Sequence, residues 1–145
     1  MSRLQNFHEC VHFLLGKSLQ RVNQVSKSKL QPFGITPVQY ALLRQLWKQD
    51  AQLGYELADR LLLDRATITG VIDRLEQNGC IERRIDTTDR RNRVVCLTEK
   101  GQSLEAPLME QMAQMNQDVL SEFSDEEAQQ LKEMLYRLGI KQMAR

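Results

Sequence analysis

The sequence has little of what metal and catalytic centres are made from. It holds three cysteines (Cys10, Cys80 and Cys96) and two histidines in 145 residues. The cysteines are odd in number and form no CxxC pair, which argues against a disulfide framework and against a cysteine-based zinc site. Each reads as a small apolar side chain in a reducing compartment. His8 and His12 are four apart on an expected helix, a spacing that can hold a metal, but Glu9 and Cys10 do not share their face well. There is no Ser/His/Asp set and no phosphate loop, so no enzyme is expected and no cofactor. No apolar run reaches the roughly 18 residues of a membrane span. The opening MSRLQNFHEC lacks the apolar stretch of a secretory signal, so a cytoplasmic address is expected.

What is present is a core and an uneven charge. Hydrophobic residues make up 41% of the chain, enough for a packed interior. The net charge is only +1, but it is unevenly spread. Residues 1–97 hold 15 Lys and Arg against 10 Asp and Glu, whereas residues 98–145 hold 5 against 9. Such asymmetry suggests one face for a polyanion and another for something else.

Helical spacing predicts a long helix from about Leu4 to Leu30, with Phe7, Val11, Leu14, Leu15, Leu19 and Val22 in register. Gln31-Pro32-Phe33-Gly34 breaks it. Thr36, Pro37 and Gln39 form a capping box that opens a helix to about Lys48, apolar around most of its girth. A short helix is expected over about Gly54 to Leu62. Asp64 then caps a helix to about Asn78, stopped by Gly79, with Ile68, Val71, Ile72 and Leu75 on its inner stripe. Two strands, Cys80–Ile85 and Arg93–Leu97, flank a turn-rich segment and make a hairpin. A helix from Thr98 to about Phe123 is expected, bent near Pro107. Its stripe Leu104, Leu108, Met112, Met115 and Val119 asks for a partner surface. Ser124 with Glu127 caps a last helix that carries Leu131, Leu135 and Leu138.

Two short helices joined by a tight turn, then a basic hairpin, form a winged helix-turn-helix, and its chemistry suits duplex DNA. A helix fits the major groove with its N-terminal residues at base edges. Arg65, Thr67 and Thr69 stand there, and Gly70 lets the backbone come close. The hairpin carries Arg83, Arg84, Arg90, Arg91 and Arg93, with only Asp86 and Asp89 between them; arginine at such a tip can enter the narrow minor groove. Arg74 either pairs with nearby acids or touches phosphate. A winged helix used for protein contacts alone is the main rival, and it would not need a basic hairpin beside a polar, small-residue helix face.

The segment Glu56-Leu57-Ala58-Asp59-Arg60-Leu61, the helix DRATITGVIDRLEQNG, the strand start CIERR and the wing DRRNRVVCLTEKG resemble the MarR family of bacterial regulators. The most specific part is Asp89-Arg90-Arg91 followed by Leu97-Thr98-Glu99-Lys100-Gly101. The resemblance implies a mainly α fold with a small β-hairpin wing. Residues 1–35 and 98–145 would form a dimerisation lobe and residues 36–97 a DNA-binding lobe. It implies a homodimer on a pseudo-palindromic operator, usually a repressor, with Arg91 as the wing arginine and Asp89 as its acidic partner. Release would follow binding of a small, often aromatic, anionic effector between the lobes. The expected place is near His12, Phe33 and Tyr40, where the first two helices meet, with Arg44 as a carboxylate clamp or, competing with that, a surface ion-pair partner. A redox-sensing branch of the family carries a reactive cysteine early in the first helix. Counting back from Gly34, that place falls nearer His12 than Cys10.

Overall fold

The computed structural model describes residues 10–144. Helix α1 spans Val11–Leu30. The helix expected from about Leu4 begins later, because Cys10 is extended (φ −103°, ψ 105°) and serves as the N-cap. Leu4, Phe7 and His8 lie outside the described residues. A 3-10 turn at Gln31–Phe33 ends on Gly34, whose φ of 68° reverses the chain. Helix α2 (Pro37–Lys48) opens with the Thr36–Gln39 capping box in both directions, at 3.3 and 3.0 Å. Its Leu42, Leu43 and Leu46 are buried, as a helix apolar on several sides requires.

Helices α3 (Gly54–Leu61) and α4 (Arg65–Gln77) follow, packed on each other and on α2. The inner stripe of α4, Ile68, Val71, Ile72 and Leu75, is buried as its spacing demands. The end of α4 is a Schellman motif. Cys80 N donates to Leu75 O and Gly79 N to Glu76 O, both at 3.0 Å, with Gly79 at φ 76°. Strands β2 (Ile81–Ile85) and β3 (Arg93–Leu97) pair antiparallel from Ile81 opposite Leu97 to Ile85 opposite Arg93.

A third strand was not expected. β1 (Gln52–Leu53) pairs antiparallel with β3, giving the order β1-β3-β2. Two residues are too few to show a period, and the first is a buried glutamine. Gln52 is accommodated because its Nε2 donates to Gln49 O at 2.6 Å and Gln45 O at 3.1 Å, at the end of α2.

The single helix expected after Thr98 is two helices, α5 (Glu99–Ser103) and α6 (Glu105–Val119), separated at Leu104. Pro107 has no N–H to offer Ser103 O, and its ring crowds that carbonyl, so the chain restarts with proline in the first turn of α6. Helix α6 packs along α1 and touches α2. Leu108 and Met115 are buried and Leu104 and Met112 pack against the core, so most of the α6 stripe is satisfied within this chain and needs no partner, contrary to expectation. The reason is that α1 lies along α6 and covers it. Helix α7 (Asp125–Leu138) has the Ser124–Glu127 capping box, and α8 (Ile140–Met143) ends the chain's helical part. Leu135 and Leu138 are exposed together with Met134, Tyr136 and Ile140. Among the described residues, no helix is long and apolar enough to cross a membrane.

Candidate nucleic-acid interface

Two features converge on the sequence-expected site, the N-terminal half of α4 and the tip of the β2–β3 wing. Asp64 caps α4 by accepting from Thr67 N at 2.7 Å, and this backbone hydrogen bond holds its carboxyl below the usual carboxylate range. With the inner stripe buried, Arg65, Thr67, Thr69, Gly70 and Arg74 are all exposed. At about 100° per residue, Thr67 and Arg74 project to one flank and Arg65 and Thr69 to the other. Thr69 Oγ1 donates back to Arg65 O at 2.8 Å, which leaves the hydroxyl oxygen free to accept. A Cβ added at Gly70 would meet nothing within 4 Å, so its surface is open to an incoming molecule.

The wing tip is built by its short acids. Asp86 Oδ1 accepts from Thr88 N at 3.0 Å and Thr88 Oγ1 at 2.9 Å, an Asx turn. Asp89 Oδ1 accepts from Arg91 N at 3.1 Å, and its carboxylate takes the Arg91 guanidinium in a two-point pair, Nε to Oδ1 and Nη2 to Oδ2, each 3.1 Å. The pairing lowers the Asp89 carboxyl and raises the Arg91 guanidinium relative to their ordinary values. Arg91 is nevertheless 89% exposed, so the brace aims it without covering it. Arg93 Nη1 donates to Arg90 O at 3.4 Å, and Arg90 edges a shallow groove with Ile85, Asp86 and Thr87.

The five wing arginines are not equivalent. Arg83 bridges from β2 to α4, donating to Asp73 at 2.5 Å and Glu76 at 2.8 Å. These two carboxylates, three apart on α4, raise the Arg83 guanidinium above its ordinary value and neutralise it. Arg84 lies against Glu82, with Nε 2.6 Å from Oε1 and Nη2 in the same ion pair. Arg83 is therefore a brace between α4 and the wing. The sequence shows that Asp73 and Glu76 are like charges on one helix, but not which cation meets them, which is set by where β2 lies against α4. Counting phosphate contacts by salt dependence separates the two kinds of arginine. Arg90→Gln should lower the salt slope of duplex binding by about one. Arg83→Met should weaken binding through the uncovered Asp73 and Glu76 and leave the slope unchanged. A slope that falls equally for both variants would show Arg83 to be a phosphate contact.

The candidate effector residues come together only in part. Tyr40 is buried, its Oη accepts from Arg44 Nη1 at 3.5 Å, and its ring meets Trp47 edge-on at 5.9 Å. Phe33 is half-buried against the same core. His12 does not join them. It is exposed in the first turn of α1, roughly 27 Å along the helix axis from Leu30. The first two helices meet at the other end of α1.

An exposed helix N-terminus beside a braced arginine wing on a helix-turn-helix core defines a winged-helix DNA-binding protein. The match to known proteins agrees: residues 35–92 fit the model of the MarR family. The HTH-type transcriptional regulator MhqR of Bacillus subtilis is 30% identical over 127 residues, covering 88% of each chain. The organic hydroperoxide resistance transcriptional regulator of the same organism is 34% identical over 128 residues, 87% of this chain and 84% of that one. A solved structure of Bordetella bronchiseptica BpsR, described for the regulation of its DNA binding by 6-hydroxynicotinic acid, superposes with a TM-score of 0.84. It is 26% identical and covers 91% of this chain and 94% of that one. The chain belongs to the MarR family, whose members are DNA-binding transcriptional regulators and not enzymes.

Proposed function

We propose that the protein is a homodimeric repressor that leaves a pseudo-palindromic operator when a small aromatic acid binds. Residues 1–35 and 98–145 form the dimer lobe and residues 36–97 the DNA lobe. Arg65, Thr67 and Thr69 read bases in the major groove over the open backbone at Gly70. Arg91, braced by Asp89, enters the minor groove, while Arg74, Arg84, Arg90 and Arg93 serve the phosphates. The effector's carboxylate meets Arg44 beside Tyr40 and Phe33. BpsR, regulated by a hydroxylated aromatic acid, supports that class of effector.

The observation that carries this reading is the apolar surface this chain leaves uncovered at both of its helical ends. Leu14, Leu15 and Leu19 of α1 and Met134, Leu135, Leu138 and Ile140 of α7–α8 are exposed, and Leu15 and Leu135 line one groove, so the two sets adjoin rather than scatter. A two-fold axis closes such a surface on itself and sets two α4 helices about one DNA turn, roughly 34 Å, apart. Sedimentation should show a dimer without DNA well below micromolar concentration. A folded monomer under those conditions would refute the reading.

A second reading, release by oxidation, is favoured by the exposure of Cys10 and by the likeness to the hydroperoxide-resistance regulator. Cys80 and Cys96 are buried, and burial pushes both thiols up, away from the reactive thiolate. That reading requires Cys10→Ser to abolish any release of DNA by peroxide.

A further inference from the structure

The C-terminal end of α4 is strapped to the segment that opens α5. The C-cap Asn78 and the two residues that follow it, Gly79 and Cys80, offer three successive carbonyls just past α4, and two residues take all three. Lys100 Nζ donates to Asn78 O at 2.7 Å. Thr98 Oγ1 donates to Gly79 O at 2.5 Å, and Thr98 N donates to Cys80 O at 3.1 Å. The ammonium of Lys100 also sits where a helix C-terminus favours positive charge. The turn they belong to is fixed on its other side, since Trp47 Nε1 of α2 donates to Gly101 O at 3.0 Å. Beyond Leu104 the chain enters α6, which packs along α1. The strap is thus a hydrogen-bonded route from the helix assigned to base reading to those assigned to dimerisation, alongside the packing of α2 on α4, α1 and α6.

We propose that Lys100 and Thr98 are positioning residues for DNA recognition, setting the angle of α4 against the dimer lobe and so the spacing of the two reading helices. The proposal rests on the two-fold reading above. Neither residue belongs to the open face of α4 or to the wing tip, so their effect on DNA is through α4. A rigid joint at residues 78–80 holds both α4 helices at one separation, and half-sites at that separation are matched without reordering the protein. A loosened joint lets each α4 adjust, which weakens binding at the right spacing and forgives the wrong one.

The test uses the full chain and duplexes that the wild-type protein selects from a random-sequence pool. Each is compared with the same duplex carrying one base pair more or fewer at its centre of symmetry. The readout is the ratio of dissociation constants, altered spacing over selected spacing. Lys100→Met should reduce that ratio by about threefold, the scale of one exposed hydrogen bond, with the thermal midpoint lowered by at most a few degrees. Lys100→Arg keeps a donor for Asn78 O and should restore the ratio. Thr98→Val should act in the same direction, but it also removes the α5 cap, in which Thr98 Oγ1 accepts from Gly101 N at 3.1 Å, so Lys100→Met is the decisive variant. A merely structural role would weaken all duplexes equally, and that result, or an unchanged ratio, overturns the proposal while the two-fold reading stands. A wild-type protein indifferent to spacing overturns both.

Discussion

Arg91→Ala is expected to weaken binding to duplex DNA by about ten- to hundredfold, the range for loss of one well-placed arginine contact. The side chain stands at the wing tip with two of its nitrogens on the Asp89 carboxylate and the rest of the guanidinium open. An arginine free at this position would have to give up its rotamer freedom on docking; the brace restricts it beforehand. Asp89→Ala should therefore also weaken binding, although it deletes a negative charge that would otherwise repel phosphate. Electrostatic repulsion alone predicts the opposite sign, so tighter binding by Asp89→Ala would sink the brace. Arg91→Lys should fall between wild type and alanine, because an ammonium keeps the charge and cannot make the two-point pair. The pH dependence follows from the direction of the Asp89 shift. Its folded carboxyl is depressed by the Arg91 pair, so the brace is fully present above the ordinary aspartate value and is lost only as pH falls through the lowered one. Wing-dependent affinity should be flat from neutral to mildly acidic pH, as measured by anisotropy with wild type and Asp89→Ala side by side.

The elements that could be read from sequence are those whose determinants are local. Thr36, Pro37 and Gln39 fix a helix start within four residues, and Ser124 with Glu127 does the same. Asp64 before the Ile68–Leu75 stripe, and Gly79 after it, bound α4 within a residue or two of its observed ends. The wing brace was accessible through the resemblance to the MarR wing, which implies Asp89 as the partner of Arg91, and the pair forms within one turn. What escaped depends on partners distant in the chain. β1 exists because β3, more than forty positions later, offers Val94 and Val95 to Leu53 and Gln52. The neutralisation of Arg83 depends on where β2 lies against α4. The α6 stripe looked unpartnered because nothing in its own period says that α1 lies along it. The sequence groups His12 with Phe33 and Tyr40 where the first two helices meet, but His12 starts the twenty-residue α1 and the junction with α2 follows its far end. The break at Leu104 was half-visible: Pro107 signals an irregularity, and only the geometry of the first turn says that it ends one helix and begins another.

Gly101→Ala is expected to cost about 3 kcal/mol of stability, the upper part of the overpacking range. A Cβ there would lie 2.0 Å from Cys80 O, 3.1 Å from Cys80 C and 3.2 Å from Leu97 Cδ2. The obstacle is backbone, which has no rotamer to change. Relief requires α5 to move off Cys80, and that lengthens Thr98 N to Cys80 O, now 3.1 Å, and Trp47 Nε1 to Gly101 O, now 3.0 Å. The ordinary gain of about 1 kcal/mol from replacing glycine by alanine in a helix is too small to offset this. For a chain of this size the thermal midpoint should fall by roughly 10 °C. Gly70→Ala is the matched comparison, since its Cβ meets nothing within 4 Å in the middle of α4. That variant should gain up to about 1 kcal/mol and melt a few degrees higher, yet bind duplex DNA more weakly, because the added methyl occupies the surface on which the groove would close. The pair separates two reasons for a glycine on a helix, close approach within the chain and close approach to a ligand. A midpoint for Gly101→Ala at or above wild type would show that α5 can give way without loss, and the tight seat of α5 on the end of α4 would then hold no stability.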